Sequence, residues 1–494
     1  MTGPFGGSVD GVVGGAVDGG VDVCVVGGGP AGATVAAALA RLGRRVAVVE
    51  HRTFPRDHVG ESLGPGIWPL LAGIGVDRAS VEKVGVRVHS AQVRWSTDGV
   101  VHRADAGLTV DRGAFDALLL RQARTSGAAV LTGRAGGPAP TSAGWRVPLG
   151  ARAVDARVLV DASGRRGVLG GRRLRTSART TALHARWRTG HRGGAPQTLI
   201  GALPDGWLWA AKLPRGAVRV MIFVDQGTLR EEKSGAGELF RRLLAGAGPA
   251  VAPFGSPPAS AGVIVCEAGS YRYPVVAARD AIRTGEAAFA IDPLSSCGVT
   301  VAMSSAMAAV ATVNTLLCAD GDADAAVEYY TDLISVTESG HRATATRLYG
   351  EHRQYADRSF WRRRREAEPG SEPMDAPEVE PVGPVERRVG SRGKPGVAGL
   401  LERRVQLRPP AELRPVACLV GHLVERRPAL WAPQLRRPVG FLGGVPLAGL
   451  VQELTSAPTL GAACCGWDRS LAPGRGVQIA SWFVDRDLLE IAAP

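Results

Sequence analysis

Short apolar runs, rather than long amphipathic ones, mark the start of the chain. Val21–Val26 (VDVCVV) is nearly continuous in apolar residues, as expected for a strand buried on both faces. An alanine-rich stretch from about Ala31 to Arg41 reads as a helix ended by Gly43. Val46–Glu50 is a second apolar run that closes on an acid. Strand, helix and strand at this spacing predict a βαβ unit. Leu108–Val130 predicts a strand end, a helix with Phe115, Leu118 and Leu119 on one face, and another strand. Val158–Gly164 predicts an apolar strand running into a polar turn. Residues 181–225 change character. ALHARWR, TLIGAL, GWLWAAKL and VRVMIFVD are short alternating or apolar runs broken by Pro and Gly, which predict an inserted antiparallel sheet.

Further on, Val299–Ala319 carries no charge and is long enough to span a bilayer. Ser304, Ser305, Thr312, Asn314 and Thr315 dilute it, so it reads as a helix buried in a domain, with no membrane partner expected. A second helical pattern covers Asp324–Tyr349. Residues 366–395 are rich in Pro, Glu, Gly and Arg without apolar periodicity, and read as a linker. The expected fold class is α/β. A Rossmann-like nucleotide-binding domain takes in 21–62, 105–180 and 280–365, with an inserted antiparallel-sheet domain from 63–104 and 181–279. A leader precedes it at 1–20. A small α+β module, winged-helix-like, follows at 396–494.

Charge adds less than its size suggests. The formal net charge is +13, but Lys83, Lys212, Lys233 and Lys394 are the only lysines, so nearly all of it is arginine. Together with abundant Ala, Gly and Val, this points to coding bias in a GC-rich genome. The basic residues are dispersed apart from Arg362–Arg365, read as a solvated basic helix end, and no nucleic-acid partner is expected. Seven cysteines show no C-x-x-C pair and no zinc spacing. They predict free thiols, a cytoplasmic location and no metal site. The leader has no basic start and does not read as a signal peptide.

Two segments carry the chemistry. Gly27, Gly29 and Gly32 stand in G-x-G-x-x-G spacing between the first strand and its helix. Gly27 allows the turn, Gly29 lets backbone approach a pyrophosphate, and Gly32 lets helix and strand pack closely. From Ala31 onward the helix-start amides face the phosphates. Glu50 lies where a carboxylate accepts from ribose hydroxyls. The second segment is Arg283–Thr300, RTGEAAFAIDPLSSCGVT. Glu286 beside a glycine turn can hold a ribityl hydroxyl. Asp292, Pro293, Cys297 and Gly298 frame a turn whose helix-start amides can face an electron-rich ring carbonyl.

The order GGGPAG with Glu50, VDRGAFDALL, VDASGR and GEAAFAIDPLSSCGV resembles the FAD-dependent monooxygenase superfamily of hydroxylases, geranylgeranyl-reductase-like enzymes and flavin-dependent halogenases. The resemblance spans most of residues 21–360. It implies FAD as cofactor, Arg112 on the diphosphate side, Asp161 beside the nucleotide, and Glu286 in place of the usual Asp on the ribityl chain. HVGESLGPGIWPLLAGIGV, HSAQVRWSTDG, DPLSSCGV and YADRSFWRRRR resemble the tryptophan-halogenase-like branch. They are closest to its non-halogenating members, which oxidise tryptophan side chains during quinone-cofactor maturation. The lysine that relays hypohalous acid in halogenases falls near Ser90 here, with no lysine close by. Ser295 stands where tryptophan halogenases have a glutamate. Trp207-Leu208-Trp209-Ala210-Ala211 only partly echoes their W-x-W-x-I.

Gly60-Glu61-Ser62 is then the expected active-site loop across the flavin from Pro293–Gly298. Glu61 is a candidate base or substrate partner, the alternative being a helix start at Ser62 that Glu61 supports. His58 is a candidate proton exchanger near neutral pH. Ser295 joins them as a catalytic candidate, and Cys297 reads as a thiol whose pKa a helix N-terminus would lower. Trp207 and Trp209 share one strand face and can line an aromatic pocket or simply pack. The resemblance implies oxygen transfer through a C4a-hydroperoxyflavin to an electron-rich aromatic, small or borne on a peptide or protein. Electrons would come from NAD(P)H or a partner flavin reductase. A halogenase, an alkene reductase and a flavin-binding partner protein without turnover are the alternatives.

Overall fold

The computed structural model describes residues 20–96, 99–103, 107–189, 197–365, 396–435 and 437–492. The leader up to residue 19 and the linker at 366–395 lie outside the described residues. Two units divide the chain. One runs to Leu317 and resumes at Tyr330, and the other takes Cys318–Tyr329 with the C-terminal part.

The first unit is built on two sheets. Val21–Val26 pairs in parallel with Val46–Glu50 on one side and Arg152–Asp161 on the other, and Ala129–Thr132 extends the sheet beyond Val46–Glu50. Their apolar continuity follows from burial on both faces, which a parallel sheet covered by helices imposes. Arg152–Asp161 serves two partners. Its first half forms a hairpin with Gly144–Leu149, and its last three residues pair in parallel with Ala281–Arg283. The helix Pro30–Arg41 begins one residue before the expected Ala31, because Pro30 suits the first helical position.

The uncharged segment forms the helix Gly298–Leu316, of which twelve residues are buried. It packs along Pro30–Arg41. Its Thr312 and Thr315 hydroxyls donate to carbonyls one turn back, and Asn314 Oδ1 accepts from the Arg44 guanidinium. A helix with its polar groups satisfied this way sits inside a domain at little cost.

The second sheet runs in the order Ile264–Glu267, Thr180–Arg188, Ala217–Asp225, Gly206–Leu213, Thr198–Leu203, Ala91–Ser96, Gly99–Arg103. All neighbours are antiparallel except Thr198–Leu203 with Ala91–Ser96. Side chains alternate between faces. Leu183, Ala185, Leu208, Val220 and Ile222 pack under the helix Ala236–Gly246 through Leu239, Phe240 and Leu244. The other face presents Ala182, Trp207, Trp209, Met221 and Phe223. The expected boundary at residue 63 falls early. The helices Ile67–Gly73 and Arg78–Glu82 pack on Gly298–Leu316 and Arg112–Thr125 respectively, so this stretch joins the second sheet only at Ala91.

Arg362, Arg363 and Arg365 are exposed, as expected of a solvated basic helix end, but Arg364 departs from that reading. Arg364 is buried, donates to Asp225 and the Thr180 hydroxyl, and lies over the Phe360 ring. Burial beside a carboxylate, not solvation, explains that arginine.

In the second unit, Val405–Leu407 pairs with Leu489–Ile491, and Glu412–Val420 forms a hairpin with Leu423–Trp431. The helices Leu447–Ser456, Leu460–Ser470 and Arg475–Asp485 enclose a core that includes Leu450, Leu454, Trp467 and Phe483.

Candidate active site

The ends of the first sheet's strands and the inner face of the second sheet enclose one cavity of about 560 Å³. The glycine motif forms its cradle. Gly27 has φ +108°, and a Cβ there would lie 2.3 Å from the Ala162 carbonyl oxygen. A Cβ on Gly32 would lie 1.8 Å from the Gly27 oxygen. Both positions are closed by protein. Gly29 differs: a Cβ would meet only Arg56 Nη2, at 3.3 Å, so its surroundings are open on the cavity side. First-turn amides of a helix have no intrahelical acceptor, and those of Pro30–Arg41 begin at this opening. Glu50 is anchored by the Gly28 and Arg52 amides, each at 2.7 Å, and by His51 Nδ1 at 3.0 Å. Gly285, with φ +59°, approaches Ala31 so closely that a Cβ would sit 3.0 Å from the Ala31 Cβ.

Gly27, Gly29, Ala31, Glu50, His58, Glu61, Arg112, Glu286, Asp292, Pro293 and Gly298 all line this cavity, drawn from five separate stretches of chain. Gly32, Asp161, Ser295 and Cys297 do not. Gly32 lies at the helix–strand contact. Asp161 is turned inward: it accepts from the Ser163 amide and hydroxyl, the Leu169 amide and Arg283. It shapes the Ser163–Leu169 turn, whose Ser163, Gly164, Arg165 and Arg166 reach the cavity instead.

Ser295 and Cys297 are the clearer corrections. The Ser295 hydroxyl donates to the Asp292 carbonyl at 3.0 Å, and the Cys297 thiol donates to the Ser295 carbonyl at 3.0 Å. Both side chains are used within their own turn. Burial pushes the Cys297 thiol pKa up, opposite to the lowering expected from the helix start. Ser296, in the left-handed region at φ 51°, lines the cavity in their place.

Arg112 lines the cavity, but its guanidinium is committed. It pairs with buried Asp116 and donates to the Val59 and Gly60 carbonyls, so it holds the Gly60–Ser62 loop in place. Arg56, which pairs with Asp116 at 3.5 Å, is the guanidinium beside Gly29. Glu286 forms an ion pair with Arg165 at 3.2 Å. Asp292 caps the next turn through the Leu294 amide and accepts from the Tyr349 hydroxyl at 3.2 Å. The Trp207 indole in turn donates to that hydroxyl at 3.1 Å. Burial raises the Asp292 carboxyl above its usual range.

On the opposite wall, Glu61 is 1% exposed. Its Oε2 accepts from the Gly60 amide, and its Oε1 lies 2.5 Å from Arg219 Nε, also 1% exposed. Burial raises the Glu61 carboxyl, and Arg219 opposes this without reversing it. The Arg219 guanidinium continues to Asp57 at 2.5 Å and to His184 Nδ1 at 3.0 Å. A guanidinium only donates, so that nitrogen is unprotonated. Burial first and Arg219 second lower the His184 pKa to about 4. His58 Nδ1 lies 2.8 Å from the Val59 carbonyl, which can only accept, so Nδ1 carries the proton. Burial and Arg112 lower its pKa, which keeps the ring neutral at neutral pH. Ser62 does not start a helix: it pairs with Thr109 in a two-residue strand, and Gly66 precedes Ile67–Gly73 without a side-chain cap.

Arg219, Asp57, His184, Arg56 and Tyr349 were not singled out from the sequence. Arg219 carried a signal, being the one charge inside the apolar run AVRVMIFV.

The tryptophan halogenase family model matches residues 22–100 and 86–378, most of the chain. The chain belongs to the tryptophan halogenase family. The tryptophan 2-halogenase of Chondromyces crocatus is 31% identical over 334 residues. That alignment covers 62% of this chain and 64% of the relative, so just under two thirds of the relative's length is spanned. Among solved structures, the peptidyl tryptophan dihydroxylase QhpG, described as essential for tryptophylquinone cofactor biogenesis, is 26% identical with a TM-score of 0.73. The match covers 95% of this chain and all of that one. CmlS, a flavin-dependent halogenase, shares the fold with a TM-score of 0.74 at 22% identity, covering 95% of each chain.

The cavity fits the family's cofactor, FAD. The glycine cradle and Arg56 would take the pyrophosphate, Glu50 the ribose, Glu286 the ribityl chain, and the turn from Pro293 to Gly298 the ring edge. When bound, FAD supplies electron transfer and oxygen activation.

Proposed function

We propose that the protein is an FAD-dependent monooxygenase that hydroxylates an electron-rich aromatic ring, a tryptophan side chain borne on a peptide or protein. The cavity wall carries this reading. Trp207, Trp209, Met221 and Phe223 from the second sheet form an apolar face suited to an aromatic ring, with Trp207 stacked on Phe223 at 4.0 Å. No lysine is among the lining residues, whereas a halogenase relays its oxidised halide through an amine. The similarity to a peptidyl tryptophan dihydroxylase over nearly the whole chain supports the same class of substrate.

The residues divide the work. The apolar wall orients the ring and excludes water, which protects a reactive oxygen donor from hydrolysis. Arg112 fixes the loop that carries Glu61, and Arg219 fixes the Glu61 carboxylate. Glu61, raised by burial and bordering the cavity, takes the ring proton released when oxygen replaces hydrogen. His58, held neutral with Nε2 free to accept, orients a polar group of the substrate. One atom of dioxygen enters the ring, the other leaves as water, and two electrons come from NAD(P)H, directly or through a separate flavin reductase.

The test uses FAD-loaded protein, reduced anaerobically and mixed with isotopically heavy dioxygen and a tryptophan-containing peptide, with and without chloride or bromide. Heavy oxygen in the product, independent of halide, is the expected result. A product that forms only with halide and contains it would instead establish a halogenase. Reductant oxidised with neither product, only peroxide, would overturn both readings for that substrate class.

A further inference from the structure

A second concavity, of about 620 Å³, lies beside the flavin cavity in the same unit. Its charge is one-sided: Arg173, Arg175, Arg179 and Arg230 line it against a single carboxylate, Glu267. Arg173 approaches Glu267 at 3.7 Å and Arg179 donates to the Gln226 amide oxygen. Arg175 and Arg230 are exposed and have no carboxylate partner among the described residues.

Its floor is a strand edge. Ile264–Glu267 is the last strand of the second sheet, paired only with Thr180–Arg188 among the described residues. Val265, Cys266 and Glu267 are consecutive, so they point alternately to opposite faces of the strand, yet all three line the groove. The groove therefore takes in both faces of the strand where it has no neighbour. Val265 remains 42% exposed there, and Ile264, next along the strand and outside the groove's lining, is 53% exposed. An uncovered edge strand with apolar side chains is a template for another strand. The groove is also continuous in its walls with the flavin site, since Cys266 and Glu267 line both spaces.

We propose that this edge and its arginines dock an acidic peptide segment of the protein substrate as an added strand, beside the opening of the flavin cavity. Main-chain pairing with Ile264–Glu267 would hold the segment, and the guanidinia of Arg175 and Arg230 would select acidic side chains along it. An aromatic residue next to that segment is then delivered across the shared Cys266–Glu267 wall. A nucleic acid fits less well, because a phosphate backbone cannot pair with a strand edge. The proposal names the substrate class of the oxygenase reading and rests on it, but the docking can be measured without turnover.

The probe is a fluorescein-labelled peptide of about ten residues, an ordinary strand length. It carries one tryptophan with glutamate at alternate positions, and its counterpart has glutamine there. Fluorescence anisotropy with the FAD-loaded protein should show the acidic peptide binding, and the neutral one binding at least tenfold more weakly (on the order of a few exposed ion pairs). Arg175→Glu with Arg230→Glu should abolish that preference, with Arg175→Ala/Arg230→Ala intermediate. The flavin spectrum and turnover of N-acetyl-tryptophanamide should stay unchanged. Backbone N-methylation of the acidic peptide at alternate positions should also weaken it. Equal binding of both peptides, no effect of charge reversal, or equal displacement by a short RNA would overturn the docking proposal. If the acidic peptide binds as expected but gains no oxygen, the oxygenase reading falls and the docking site stands. If N-acetyl-tryptophanamide is hydroxylated while the two peptides bind alike, the docking site alone falls.

Discussion

Replacing Arg219 with methionine isolates the buried pair on the cavity wall. Both partners are 1% exposed, so the substitution removes the main countercharge of the Glu61 carboxylate and leaves it only the weaker attraction of Arg112. Removing one partner of a buried pair costs about 3–5 kcal/mol. Protonation of Glu61 sets a ceiling on that cost. Neutralising a carboxyl of ordinary pKa costs about 3.7 kcal/mol at pH 7 and about 1 kcal/mol at pH 5. The Glu61 carboxyl is already raised in the folded protein, so the variant should lose less than about 3.7 kcal/mol at pH 7 and less than about 1 kcal/mol at pH 5. The sign follows from linkage. A carboxyl whose folded pKa is raised is progressively destabilising as pH climbs above its unfolded value. Urea unfolding followed by tryptophan fluorescence at the two pH values measures both numbers. Adding Glu61→Gln removes the orphaned charge, and the double variant should recover most of the loss at pH 7. Equal destabilisation at both pH values, or a double variant as unstable as Arg219→Met alone, would refute the reasoning.

Three further outcomes follow from the same geometry. Gly32→Ala places a Cβ 1.8 Å from the Gly27 oxygen, so the cradle must deform. Purified G32A should lack the yellow flavin spectrum and bind added FAD at least tenfold more weakly by fluorescence quenching, roughly 1.4 kcal/mol or more. His184 is held at about 4 against an ordinary 6.5, so the unfolded chain binds the extra proton first as pH falls. Stability at pH 7 should thus decline between pH 6.5 and 4, and His184→Gln should flatten that part of the profile in thermal melts. Cys297→Ser should keep flavin content and turnover, because the thiol only closes its own turn; loss of turnover with FAD still bound would restore a catalytic thiol.

What could be read from the sequence divides by the range of the signal. Val21–Glu50 was legible because strand, glycine turn, helix and acid lie within thirty residues, and each constraint is local. The sheet strands of 181–225 were legible because they are short alternating or apolar runs broken by Pro and Gly, and three of them are antiparallel neighbours in chain order. Glu61 was located on a loop facing the cavity, but its partner was not. Arg219 reaches it only after the sheet has folded, and nothing near residue 61 encodes that meeting. Ser295 and Cys297 failed for the opposite reason. Their positions were right to within a residue, yet a single left-handed residue at Ser296 decides which side chain faces inward. The solvated reading of Arg364 failed because Asp225, which buries it, is remote in sequence.

The shared strand Arg152–Asp161 bears on how the protein is made. Its first half closes a local hairpin at once, but its last three residues wait for Ala281–Arg283. The chain between them includes five of the seven strands of the second sheet. Closing so long a loop is slow unless the inserted sheet has already compacted and brought its ends together. The segment Gly285–Gly298, one wall of the cavity, emerges from the ribosome after all of this. Flavin capture is therefore a late event in biogenesis. A chain stalled near residue 280 would carry the complete glycine motif but lack the wall of the cavity that Gly285–Gly298 supplies.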